Sequence, residues 1–216
     1  MVLAQIQAEL AAIYATPVAY DVRDFLITDP EVAAALTPAP ASTGNSERLL
    51  VRHDEDDLRV SLFIDDAILA QLAVDDPTAW LHDGNLAAFL VALEGVSHLN
   101  CVLWHGERAT RVTLFELELQ AEIDKYVACT KLFSTQQRGI PSALHHVLFE
   151  NPRYDPALDD DVRERYVDAN YYAAKYCHGL RRRFPGHHDE RGFLSELRTF
   201  YRLTRNEKVR RIRATH

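Results

Sequence analysis

The sequence predicts a mainly α-helical protein, a bundle of about eight helices with one β-hairpin inserted at residues 48–64. Two patterns carry this: apolar residues recur at helical spacing through nearly all of the chain after Asp65, and one period-2 segment precedes them. The 216 residues are 47% hydrophobic and 26% charged, enough to bury a core and too apolar for general disorder. The chain is read as a single globular domain over 1–216, with residues 37–47 forming a linker or surface loop after an N-terminal helical segment.

From the N-terminus, Ile6, Leu10 and Ile13 fall on one face of an amphipathic helix over Val2–Tyr14, and a second helix is expected around Val18–Leu26. Thr28-Asp29-Pro30-Glu31 supplies a capping side chain, a proline suited to the first turn and an acid near the positive helix end, which starts a short helix to Leu36. Leu49–Arg52 and Leu58–Ile64 flank an acidic turn, and Leu58, Val60, Leu62 and Ile64 alternate with Arg59, Ser61 and Phe63, the pattern of a hairpin strand. A lone hairpin is marginal in water, so this one must pack on helices, gain a strand or pair with a second copy along its edge.

Beyond it, Asp65 or Asp66 caps a helix over Ala67–Val74, and Asp83 or Asn85 caps a long one over Leu86–His105. Residues 112–123 alternate like a strand, yet they are strong helix formers and Thr113 with Glu116 makes a capping box, so helix is chosen through Phe133. Further helices are expected over Ser142–Phe149, Asp159–Phe184, Phe193–Leu203 and Arg205–Arg213, the last capped by Thr204 with Glu207.

The N-terminus carries neither a secretory nor a transit signal, and the most apolar stretch is interrupted near its centre by Glu94 and His98, so a cytoplasmic protein without a membrane span is expected. Cys101, Cys129 and Cys177 are odd in number and widely spaced, which suits reduced, packed thiols and argues against a disulfide framework or zinc knuckle. The net charge of −8 is uneven: Arg181–Arg213 holds eleven basic residues against four acidic ones, leaving −15 on the remainder. Such a segment either neutralises the protein's own acidic body or engages an acidic partner or nucleic acid.

The residues with most chemical content lie in the long apolar helix, where Glu94, His98, Cys101 and His105 follow at steps of four, three and four and so form one stripe. The next helix offers Glu118 and Glu122 at four-residue spacing, with Lys125 on the same face and Asp124 to one side. A short connection suggests antiparallel neighbours, so Glu94, His98, Glu118 and Glu122 are the candidate ligands of a divalent metal, manganese, iron, magnesium or zinc. Asp124 would support that site, and Lys125 would orient a carboxylate or a substrate anion. The plain alternative is a core hydrogen bond between Glu94 and His98, or an ion pair to Lys125, holding helices in register.

His145-His146 and His187-His188 are adjacent pairs that point about 100° apart on a helix and do not chelate on their own. Tyr166, Tyr171, Tyr172 and Tyr176 read as packing rather than base stacking. Walker, dinucleotide-binding, nucleophile-elbow, His-Glu-x-x-His and Cys-x-x-Cys motifs are all missing from the sequence. On that ground a non-catalytic binding or regulatory role stands first, with a metal-dependent hydrolase or oxidoreductase as the alternative.

Overall fold

A computed structural model of the chain describes residues 2–17, 19–37, 46–54, 57–150, 152, 154, 156, 158–185 and 190–214. It is mainly α, 69% helical, with nine α-helices and a small three-stranded sheet among the described residues. Most of the expected linker, the centre of the acidic hairpin turn and His187-His188 lie outside the described residues. The chain divides into two compact units, Met1–Ala8 with Val18–Val112, and Glu9–Pro17 with Thr113–His216.

Helix α1 (Val2–Tyr14) buries Leu3, Ile6, Leu10 and Ile13, the stripe that its spacing defines. In the first unit the buried Gln7 uses both ends of its amide. Its Nε2 donates to the Tyr20 carbonyl at 3.1 Å and to Asn100 Oδ1 at 3.3 Å, and its Oε1 accepts from the Val22 N–H at 3.0 Å.

The helix expected over Val18–Leu26 is instead a single 3-10 turn (Val22–Asp24) followed by strand β1 (Leu26–Ile27). Asp21 closes the turn by accepting from the Arg23 N–H at 2.9 Å. The extended residues then serve the hairpin: Leu26 and Ile27 pair in parallel with Leu62 and Phe63, and the Leu62 N–H donates to the Phe25 carbonyl at 2.8 Å. A buried strand edge needs backbone partners, and that requirement outweighs local helix preference here. Helix α2 (Pro30–Leu36) follows as read, with Asp29 accepting from the N–H groups of Glu31 and Val32.

Strands β2 (Glu47–Asp54) and β3 (Asp57–Ile64) form the antiparallel hairpin, and the sheet order β1-β3-β2 leaves β2 on the outside. Leu62, Phe63 and Ile64 are all buried, so both faces of the end of β3 are covered. Asp65 caps α3 (Asp66–Val74) by accepting from the Ala67 N–H at 2.8 Å.

Helix α4 (Asp83–Gly106) is capped by His82, not by Asp83 or Asn85. His82 Nδ1 accepts from the Gly84 N–H at 3.1 Å, and Asn85 Oδ1 accepts from the His82 N–H at 2.9 Å. It is the one described helix long and apolar enough to cross a membrane, and 61% of its most apolar window is buried inside the fold, as in the core helix of a globular protein.

The second unit is built on α5 (Leu114–Thr135) and α7 (Asp160–Arg183), with α6 (Leu144–Phe149), α8 (Glu190–Tyr201) and α9 (Arg205–Ala214). The alternating segment 112–123 is helix from Leu114: Thr113 and Glu116 form the reciprocal box, at 3.2 Å and 3.0 Å. Helix α5 buries polar residues as well as apolar ones, among them Gln120 and Asp124. Asp124 is satisfied by the Tyr14 hydroxyl and by Gln120 Nε2 at 2.8 Å. Burial first, and the Asp124 carboxylate second, push the Tyr14 phenol well above its ordinary pKa, so it remains a donor.

Among the described residues, three helices are followed by a left-handed residue that is not glycine: Ala15, Ala109 and Gln137, at φ 49°, 50° and 55°. In each the next residue's N–H reaches back five positions to a helix carbonyl, as with Thr110 to His105 at 3.0 Å.

Candidate metal centre

The hairpin face that packs on α4 is set by the register of β2 with β3. Glu47 lies opposite Ile64, Leu49 opposite Leu62 and Val51 opposite Val60, so Glu47 continues an otherwise apolar face. Gly95 permits the approach: a Cβ there would lie 2.8 Å from both Glu47 Cγ and Leu62 Cδ1. One residue before it is Glu94 and three after it is His98, so the glycine brings the end of β2 against the polar stripe of α4.

His98 is buried, at 7% exposure, and its Nδ1 is 3.5 Å from Glu47 Oε1. Glu94 is half-buried. Glu47, Glu94 and His98 each direct one ligand atom into the same space, and the three atoms lie within 4.8 Å of one another. Ligand atoms on a tetrahedral zinc are separated by about 3.4 Å, given bond lengths near 2.1 Å, so the Glu47–His98 edge is already close to that value. Two carboxylates and a neutral imidazole carry a charge of −2, which a divalent cation cancels. A single proton leaves half of it.

Of the four ligands read from the sequence, Glu94 and His98 stand in this cluster. Glu118 and Glu122 belong to the second unit, where Glu118 is buried and Glu122 Oε1 accepts from Lys125 Nζ at 2.7 Å. Lys125 therefore has a carboxylate partner on its own helix. Asp124 takes part in the Tyr14–Gln120 network described above.

Glu47 was beyond the reach of helix periodicity, because it comes from a strand more than forty residues upstream. The signal present in the sequence is the alternation itself: carried back from Val51 through Leu49, it ends on a carboxylate at an apolar face. The rest of the α4 stripe is used locally, with Cys101 buried and His105 Nδ1 2.8 Å from Thr110 Oγ1 just past the helix end.

The basic C-terminal segment is partly spent within its own unit. Arg211 grips Glu196 with two donors, at 3.0 and 2.5 Å, and Arg183 adds a contact at 3.2 Å. Burial alone would raise the Glu196 pKa, but the hydrogen bonds from these guanidinium groups hold it below the ordinary 4.5. Arg198 and Arg202 donate to the Ala12, Ile13, Tyr14 and Ala15 carbonyls, capping the negative end of α1. Exposed Arg205, Arg210 and Arg213 instead line a groove with Phe115 and Tyr172. Among the tyrosines, Tyr176 stacks on Phe200 with ring centroids 3.9 Å apart, a core contact.

Comparison of the chain with protein-family models, with curated proteins and with solved structures finds no match.

Proposed function

We propose that the chain is a binding protein whose first unit holds one divalent transition-metal ion through Glu47, Glu94 and His98. The observation that carries this reading is the convergence of three ligand atoms from two separate elements within 4.8 Å. Imidazole with two carboxylates suits zinc, iron or manganese better than magnesium, which favours oxygen and water. Three protein ligands leave room for water on the ion, so the same centre accommodates hydrolytic or redox chemistry if a substrate reaches it past Glu94. A cytoplasmic setting is supported by the cysteines, which are buried and form no disulfide. Elemental analysis of protein purified without chelator tests the reading: near-stoichiometric zinc, iron or manganese supports it, and metal-free protein that takes up none of the three when they are added overturns it.

A second reading concerns the second unit, where exposed Arg205, Arg210 and Arg213 line one groove and outnumber its two carboxylates, Asp168 and Glu207, the latter already engaged by Thr204. Such a surface suits a polyanionic partner, and salt-dependent retention on heparin, lost when the three arginines are replaced by glutamine, is its test.

A further inference from the structure

Within the second unit, a cavity of about 260 Å³ opens between α5, α6 and the end of α7. Leu144, Leu180, Phe184 and Phe193 give it an apolar wall, three of them buried. Two donors stand in that wall. Tyr126 is 3% exposed, lines the cavity, and its hydroxyl has no hydrogen-bond partner among the described residues. Arg181 lines the same cavity and is exposed to solvent. Burial pushes the Tyr126 phenol up to about 12, with the Arg181 charge acting in the opposite direction, so at neutral pH it is a protonated donor close to a cation. The adjoining His145 is fixed by its Nε2, 2.8 Å from the Ala174 carbonyl, and by Phe149, ring centroids 4.9 Å apart, which makes that side of the cavity a rigid wall.

The Tyr126 hydroxyl opens into the cavity with no protein acceptor among the described residues, and the Arg181 guanidinium at the mouth of the apolar wall supplies one positive charge. The group that satisfies both is a carboxylate, accepting from the phenol and from the planar guanidinium together. The volume lies just under the usual range for drug-sized ligands, so the apolar body must be small. We propose that this cavity binds a small apolar monocarboxylate, its carboxylate held by Arg181 and the Tyr126 hydroxyl and its aromatic or branched hydrocarbon part against Leu144, Leu180, Phe184 and Phe193.

Benzoate is the probe and benzamide its uncharged counterpart, titrated into the full-length chain and followed by calorimetry and by protein NMR shifts. Benzoate is expected to bind at millimolar concentration or below, with benzamide at least about tenfold weaker, and Tyr126→Phe and Arg181→Gln each weakening benzoate about tenfold. Tyr126→Phe removes the hydroxyl donor and Arg181→Gln the charge and the guanidinium fork, neither opening the core, and unchanged circular dichroism verifies the fold of each variant. Absence of benzoate binding, equal binding of benzamide, or full affinity in folded Arg181→Gln would each overturn the assignment.

Discussion

Glu47, the first residue of a strand, and His98, in the middle of the longest apolar helix, meet at 3.5 Å across a gap that only a glycine at position 95 leaves open. The contact joins residues 51 positions apart in sequence and ties the hairpin to α4. It also explains why a carboxylate ends a strand face that is otherwise apolar.

Gly95→Ala tests that geometry. The new methyl would lie 2.8 Å from Glu47 Cγ and Leu62 Cδ1, and Leu62 is fully buried, so its shift must be taken up inside the core. Chemical denaturation is expected to show a loss of about 1 to 3 kcal/mol despite the better helix propensity of alanine. A stabilised variant would show that hairpin and helix are further apart than described.

The Glu196 network makes acid stability predictable in sign. Its carboxyl pKa is lowered in the fold from an ordinary 4.5, so its contribution is fully present above pH 4.5 and is lost as pH falls through the lowered folded value. Glu196→Gln should flatten the acid limb of a pH–stability curve. Glu196→Ala leaves Arg183, Arg211 and the Tyr176 hydroxyl without their shared acceptor and should cost about 3 kcal/mol. An unchanged acid limb in Glu196→Gln would show that the ion pairs contribute nothing to it.

Ala109, in the turn that follows α4, sits at φ 50°, a conformation that disfavours a β-carbon. Ala109→Gly keeps the Thr110 to His105 bond and removes the strain, so thermal denaturation should report a gain of about 1 kcal/mol. A loss of stability would mean that the entropy of glycine in the unfolded chain outweighs the strain.

The helical architecture was legible because amphipathic spacing and caps are local. Thr113 with Glu116 and Asp29 before Pro30 form the caps that their spacing implies, and at Thr204 the Glu207 carboxylate accepts from the Thr204 N–H, one half of the expected box. Residues 18–26 were misread because their fate is decided by β3, which needs a parallel partner for Leu62 and is distant in sequence. The cluster of Glu47, Glu94 and His98 was half legible for the same reason: Glu94 and His98 are one helical turn apart, whereas Glu47 reaches them only through strand register and a glycine that acts by lacking a side chain. The cavity beside Tyr126 left no sequence mark, because Tyr126 and Arg181 come from helices whose pairing is tertiary.

Metal binding by Glu47, Glu94 and His98 is read most directly by a calorimetric titration of zinc, and of manganese, into metal-stripped protein, run in parallel on Glu47→Gln. The assignment of Glu47, Glu94 and His98 predicts one ion per chain in the wild type and binding weakened at least about tenfold in Glu47→Gln, whose fold remains intact by circular dichroism. Binding of one ion with unchanged affinity in Glu47→Gln would contradict it.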